Sequence, residues 1–360
     1  MLPISISIQQ AKTGMIVVDD VFSPSGMLVL SKNTVLNPRN ISKMKLYNVK
    51  SFYVIIHDSV AAEESTEEDD KRNPVRSSAE FKIFKRTLIH VADSLSSVMD
   101  TLLAHPGTRI DFSPLLSEMS QITAEVHGTL HLMELMHCMR EYDDTVYVHS
   151  INVALVAQSI ATRLKFSLAE QNDLMLACLL HDIGKLRIPK DILNKPAKLT
   201  DAEYALIKRH PQSGYEILKA ARLPEHILLA VLLHHERHNG SGYPTGISGD
   251  KMPLFSRILA IADVYDAMTA RRSYRKEICT FDVIASFEAD GYQKYDTTLL
   301  LPFLENIAQA YINTPVRLSN SLVGTIVMLN HHKLSRPIVN VDGQFYDLAK
   351  YPELSIAKVL

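Results

Sequence analysis

Tryptophan is absent from this 360-residue chain, and cysteine occurs only at Cys138, Cys178 and Cys279. Three scattered thiols exclude a disulfide framework and the small secreted domains that depend on one. Cys178 sits in the apolar run Leu174-Met-Leu-Ala-Cys-Leu-Leu180, which predicts a buried thiol. The expected compartment is the cytoplasm. Excess charge of one sign is also lacking. The net charge is −2, so no global basic field points to DNA or RNA. A small anionic ligand needs only a local basic pocket and stays compatible. No apolar run reaches the length of about 18 residues that a membrane span requires. The N-terminus, Met1-Leu-Pro-Ile, lacks the charged start and apolar core of a signal peptide. The length suffices for two or three domains with a sizeable core.

Along the chain, residues 1–57 read as a small α/β unit. Met15 to Val21 and Met27 to Leu30 are strand-like around the turn Ser23-Pro-Ser-Gly26. A short helix over Pro38 to Leu46 and a third strand over Ser51 to Ile56 follow. Residues 58–80, with Glu63-Glu-Ser-Thr-Glu-Glu-Asp-Asp70, read as a solvated acidic linker, with an acidic docking tail as the alternative. Phe81, Phe84, Leu88 and Val91 set a helical period in residues 81–140. Pro106-Gly107 breaks it, and a second helix is expected from Pro114 to Arg140. These helices are candidates for homodimerisation or signal relay, with packing alone as the plainer role. His127, His131 and His137 lie here without the carboxylate spacing of a metal site. Residues 141–314 read as a run of helices. Residues 315–360 read as a β-rich tail, with strands over Leu322 to Leu329 and Arg336 to Val341 and a turn at Asp342-Gly343. His331-His332 is expected to face solvent.

Seven potential metal ligands stand within the helical run: His149, His181, Asp182, His210, His234, His235 and Asp263. His149 lies four residues before Val153 and shares its core-facing side. Alone it also fits a hydrogen-bonded core histidine. His181-Asp182 ends an apolar helix, where burying an imidazole and a carboxylate requires compensation. A metal ion supplies it, and so does an internal ion pair. Gly184 is expected to permit the turn that stops this helix. Lys185 points the same way as Asp182, toward either a salt bridge or a substrate phosphate. His210 follows a helix with the capping box Thr200-x-x-Glu203, and Pro211 is expected to disturb the chain just after it. His234-His235 closes the apolar run Ile227 to Leu233 and leads into Asn239-Gly240-Ser-Gly242-Tyr243-Pro244, a loop rich in positions that tolerate positive φ. Asp263 sits inside Ile258-Leu-Ala-Ile-Ala-Asp-Val264, where a bare carboxylate is costly. Arg271, Arg272 and Arg275 follow, as a basic cluster for an anionic substrate or as a solvated helix end. Such a set is enough for two bridged metal ions, and two metals suggest phosphoester hydrolysis. Imidazole and carboxylate without thiolate favour iron, manganese or zinc.

Taken together, these residues resemble a known family. His181-Asp-Ile-Gly-Lys-Leu-Arg-Ile-Pro189, Asn194-Lys195-Pro196, Glu203 with His210-Pro211, His234-His235-Glu236, Gly242-Tyr243-Pro244 and Ala262-Asp263 through Asp266-Ala267 are similar to the HD-GYP subgroup of the HD phosphohydrolase superfamily. The resemblance covers roughly residues 120–315. It implies a mainly α fold: an all-helical HD-type catalytic core behind a small N-terminal α/β domain, with a short β-rich C-terminal tail here. It implies metal-dependent hydrolysis of the bacterial second messenger cyclic di-GMP to pGpG, and leaves open a second cut to GMP. The expected nucleophile is a water activated between two divalent metals, most readily iron or manganese.

Carried over, one metal takes His149, His181 and Asp263, the other takes His210, His234 and His235, and Asp182 bridges them. Lys185, Arg272 and Arg275 contact the phosphates, and Gly242, Tyr243 and Pro244 shape the pocket. The catalytic residues implied are Asp182 and Lys185. Two positions depart from the pattern. Thr145 stands where some members carry a Glu that holds a third metal, so two metals are expected. Asn239 stands where Asp is common, keeping the turn but losing a charge. Two other readings remain beside this one: a slow-turnover receptor for the messenger, and a phosphodiesterase for 3′,3′-cyclic GMP-AMP. Regulatory protein partners fit either the enzyme or the receptor.

Overall fold

The computed structural model describes residues 4–12, 15–24, 26–32, 34, 36, 38–55, 78–124, 126, 128–140, 146–193, 195, 197–269 and 279–360. Most of the expected acidic linker lies outside them, as do His127, Thr145, Asn194, Pro196 and the basic cluster Arg271, Arg272 and Arg275. Two compact units are present, Met1–Ser97 with Glu134–Val148, and Val98–Met133 with His149–Leu360.

In the first unit, β1 (Ile4–Ser7) and β2 (Ile16–Val17) flank β5 (Ser51–Ile55) in an antiparallel sheet. A separate hairpin joins β3 (Val21–Phe22) to β4 (Leu28–Leu30). Alternation explains β5: Phe52 and Val54 are buried while Ser51 and Tyr53 are exposed. Val17, Val29, Leu36 and Met44, the last on helix α1 (Pro38–Leu46), join them in one core. The strand expected from Met15 to Val21 is divided in two. Between its halves the Asp20 carboxylate accepts the Lys32 N–H at 2.7 Å, which turns the chain out of the sheet. The first strand, Ile4–Ser7, carried no turn signal and was not anticipated.

Helix α2 (Ala79–Ala104) buries Phe81, Phe84, Leu88, Val91 and Leu95, as its period requires. The single helix expected from Pro114 to Arg140 is instead α3 (Ser113–Ala124) and α4 (Thr129–Arg140). Gly128, at φ +92°, makes the break, in a conformation costly for any residue with a Cβ.

The second unit is built on α5 (Val146–Arg163), α6 (Leu168–Leu180), α7 (Asp201–Ile207), α8 (His210–Ala220), α9 (Glu225–Leu233), α10 (Leu254–Thr269), α11 (Thr280–Ser286) and α12 (Thr297–Ala310). Capping boxes start α6 at Ser167 with Glu170 and α7 at Thr200 with Glu203. Pro211 falls in the first turn of α8, where it needs no N–H partner, so it opens that helix instead of disturbing it. Helix α9 packs against α6, α8 and α10. Every residue from Leu174 to Leu180 is buried, Cys178 included, and so is every residue from Ile258 to Asp263. The candidate ligands therefore stand at the C-terminal ends of α6 and α9, at the start of α8, and inside α5 and α10.

The tail forms a five-stranded antiparallel sheet in the order β10-β6-β7-β8-β9, from β6 (Pro315–Leu318), β7 (Val323–Met328), β8 (Ile338–Val341), β9 (Gln344–Asp347) and β10 (Ile356–Val359). Two of these strands were legible as β-branched runs, and Asp342-Gly343 is the β8–β9 turn. His331 and His332 are exposed. Among the described residues, no helix is long and apolar enough to cross a membrane.

Candidate metal centre

Three of the histidines are aimed by the same local device. His181, His210 and His234 each donate Nδ1–H to the carbonyl three residues earlier, at Cys178, Ile207 and Val231, over 2.7, 2.7 and 2.6 Å. That bond fixes the tautomer and turns each Nε2 lone pair inward. His149 uses a carboxylate in the same role, donating from Nδ1 to Asp266 Oδ2 at 2.7 Å. Asp266 belongs to the sequence pattern, which gives it no role of its own. Its signal was its place three residues after Asp263, on the same face of α10.

The inward atoms converge. One ligand atom each from His149, His181 and Asp182 lies within 4.8 Å of the others, and the same holds for His210, His234 and His235. Asp182 faces both groups. Its Oδ2 is 3.3 Å from His181 Nε2 and 3.7 Å from His149 Nε2, while its Oδ1 is 3.3 Å from His210 Nε2. Asp263 also spans them, with Oδ1 3.2 Å from His149 Nε2 and Oδ2 3.8 Å from His235 Nδ1. All seven residues named from the sequence are thus brought to one place. His131 is in neither group.

Burial makes the cluster electrostatically demanding. His181, Asp182, His210, His234 and Asp263 are all buried. Burial pushes the His234 pKa well below its ordinary value and that of His235 down to about 3, so both rings are neutral. Burial opposes a charge on His149 too, but Asp263 and Asp266 outweigh it and raise that pKa to about 10. For Asp182 and Asp263 burial acts upward, yet the surrounding imidazoles hold both carboxyls well below the usual range, with Lys185 helping at Asp182.

The donor set fits divalent metal. His181 Nε2 and Asp182 Oδ1 are buried and make no hydrogen bond. His210 Nε2 and His234 Nε2 face each other at 3.2 Å with both protons committed elsewhere. Inward lone pairs beside two anionic carboxylates suit a cation. Lys185 Nζ lies 2.6 Å from Asp182 Oδ2, so the salt bridge foreseen for it is present.

Two glycines serve close approach, not positive φ. A Cβ on Gly184 would meet the His210 carbonyl oxygen at 2.0 Å, and one on Gly242 would meet the Glu236 Cα at 2.3 Å. Gly184 was expected to free the turn; its function is to let α8 come close enough to deliver His210. In the loop after His235, Gly240 has φ +76°. Asn239 Oδ1 accepts from Ser241 N and Oγ at 3.1 and 2.7 Å, so the neutral amide preserves the turn. The buried Glu236 carboxylate accepts the Thr245 N–H, the Thr245 hydroxyl and the Gly246 N–H, at 2.6, 2.8 and 2.9 Å. It thereby holds the loop so that Tyr243 stacks on His235, with centroids 4.7 Å apart. This role for Glu236 was not anticipated.

Comparison with known proteins gives the arrangement its context. The HD domain family model matches residues 114–299. The cyclic di-GMP phosphodiesterase PA4108 of Pseudomonas aeruginosa is 32% identical over 239 residues, 66% of this chain and 58% of that protein. The cyclic di-GMP phosphodiesterase response regulator RpfG of Xanthomonas campestris is 37% identical over 175 residues, 48% of this chain and 46% of that protein. The 3′3′-cGAMP-specific phosphodiesterase 1 of Vibrio cholerae is 41% identical over 138 residues, 38% of this chain and 32% of that protein. The chain spans from about a third to just over half of the length of these relatives. The solved structure of Bd1817, an HDG"Y"P protein from Bdellovibrio bacteriovorus, aligns with 84% of this chain and 98% of its own, at TM-score 0.50 and 14% identity, a likeness of fold. With the His-Asp pair at the end of α6 and the Gly-Tyr-Pro loop after α9, the chain belongs to the HD domain family, in its HD-GYP subgroup.

Proposed function

We propose that this protein hydrolyses cyclic di-GMP to linear pGpG with two divalent metal ions, iron or manganese. The observation that carries the reading is the convergence of five imidazoles and two carboxylates with His181 Nε2 and Asp182 Oδ1 left without hydrogen bonds. In this reading His149, His181 and Asp263 hold one ion and His210, His234 and His235 the other. Asp182 lies between, its two oxygens turned to different groups. When bound, the ions supply Lewis acidity and lower the pKa of water. Lys185 balances Asp182 and adds positive charge beside the phosphate. Arg272 and Arg275 complete the anion-binding set. Tyr243, stacked on His235, excludes water from one side of the pocket.

Water adds across one P–O bond of the cyclic substrate, leaving a 5′-phosphate and a free 3′-hydroxyl. With Thr145 in place of a third-metal Glu, pGpG is the expected product, and a second cut to GMP is the alternative. Residues 141–314 form the catalytic core in the cytoplasm, with 1–57 and 315–360 as flanking domains and 58–80, whose last two residues open α2, as linker. Residues 81–140 are the candidate homodimer segment, and regulatory proteins are candidate partners.

Names of the relatives support the substrate class, since they include cyclic di-GMP phosphodiesterases. The 41% identity to a 3′3′-cGAMP-specific enzyme favours cyclic GMP-AMP as the second reading. The test is competition between the two messengers with products separated chromatographically. Faster loss of cyclic di-GMP with pGpG accumulation supports the first reading; preferential loss of cyclic GMP-AMP replaces it.

A further inference from the structure

At the mouth of the metal centre stands a second group of side chains that none of the foregoing uses. Helix α7 ends at Ile207, three residues before His210, and its last turn and C-cap present Tyr204 and Lys208, both exposed. Lys208 Nζ lies 5.1 Å from the centroid of the Tyr204 ring and 5.3 Å from that of Tyr243. Tyr243 is in turn stacked on the candidate ligand His235. A continuous path therefore runs from His235 through Tyr243 and Lys208 to Tyr204. The ledge is firmly based. The Glu203 carboxylate takes Lys195 Nζ at 2.7 and 2.8 Å and the Thr200 N–H at 2.7 Å, fixing the start of α7. Tyr204 directly follows Glu203, so its backbone is set while nearly half of its side chain stays open to solvent, at 48% exposure.

An exposed aromatic ring sharing a cation with a second ring is a stacking platform for a nucleobase, and the ammonium suits the phosphate or carbonyl oxygens beside it. Resting on the phosphodiesterase reading, we infer that Tyr204 and Lys208 form the base-binding ledge of the substrate site. Tyr204 stacks on one purine of the cyclic dinucleotide, and Lys208 engages its oxygen atoms, while the scissile phosphate lies over the metal centre. These residues act on affinity and base preference, not on bond cleavage.

The test is steady-state kinetics with cyclic di-GMP on the full chain, with metal content measured on each sample. Tyr204→Ala should raise KM about 5- to 150-fold, the loss expected for one base–aromatic stack. It should change kcat far less and leave metal content alone. Tyr204→Phe, which keeps the ring and drops the hydroxyl, should restore KM. Lys208→Ala should raise KM and flatten its salt dependence, and Lys208→Arg should recover both. An unchanged KM in Tyr204→Ala, beside an active unsubstituted protein, overturns the ledge and leaves the phosphodiesterase reading intact. A fall in kcat with lost metal also overturns it, making the residue structural. No turnover of either cyclic dinucleotide by the metal-loaded unsubstituted protein overturns the parent reading and the ledge with it.

Discussion

His210 Nε2 and His234 Nε2 stand 3.2 Å apart, and the Nδ1 proton of each ring is already given to a backbone carbonyl. Neither nitrogen has a proton to offer the other. The contact is two lone pairs held face to face, and a cation between or beside them relieves it. Asp182 and Asp263 bring the negative charge that such a cation balances.

The pivotal carboxylate is Asp182, because its oxygens turn to both histidine groups. Asp182→Ala should strip the centre of metal and lower turnover by more than about 100-fold, since losing a ligand exceeds losing an outer partner. Metal analysis and rate on the same preparation check this. Full metal content in the variant would remove Asp182 from the centre.

Asp266 acts through His149. Its Oδ2 accepts the Nδ1 proton at 2.7 Å and sets the ring with Nε2 inward. Asp266→Asn should weaken metal binding or activity by about 10- to 100-fold while the fold persists. A metal titration of the purified variant, with circular dichroism alongside, measures both. Unchanged affinity would make Asp266 an ordinary buried partner.

Much of this centre was legible in the sequence, and the reason is local. Ligands such as His181 and His234 end apolar helices, where a polar side chain has no other reason to be, and the Ser167–Glu170 capping box marks where the first of those helices begins. What escaped depends on tertiary approach. Gly184 looked like a helix terminator, but its conformation is ordinary; the His210 carbonyl occupies the space of its missing Cβ. Pro211 looked like a breaker and is instead the opening turn of α8. Glu236 read as one letter of a motif, while its carboxylate reaches nine and ten residues ahead to Thr245 and Gly246. The missed strands Ile4–Ser7, Pro315–Leu318, Gln344–Asp347 and Ile356–Val359 are short and find partners only in assembled sheets.

Protonation gives a third prediction. The His149 pKa is raised from 6.5 to about 10 because Asp263 and Asp266 outweigh the effect of burial. The metal-free folded protein therefore carries a proton on His149 near neutral pH. This charge stabilises the fold fully below pH 6.5, and the contribution is lost as pH rises through about 10. A metal at Nε2 requires the neutral ring, so binding expels the proton and affinity climbs with pH toward that value. Calorimetric metal titrations in two buffers of different ionisation enthalpy should report net proton release. Identical heats in both buffers would contradict it.

Packing gives a fourth. Gly184→Ala places a methyl 2.0 Å from the His210 carbonyl oxygen and 2.8 Å from Gly214 N, both backbone atoms that cannot step aside. The cost should be at least about 1–3 kcal/mol, as for other overpacked sites. Metal affinity should drop as well, because α8 carries His210. Thermal unfolding and metal titration of the variant test the two parts. Wild-type values in both would show that α8 is free to shift.

The most direct test of the account is turnover of cyclic di-GMP by protein loaded anaerobically with Fe(II) or Mn(II), with metal counted on the same sample. Repeated turnover to pGpG with about two metal ions per chain is the expected result. Two bound ions without turnover of cyclic di-GMP would contradict it and make this centre a receptor or a site for another cyclic dinucleotide.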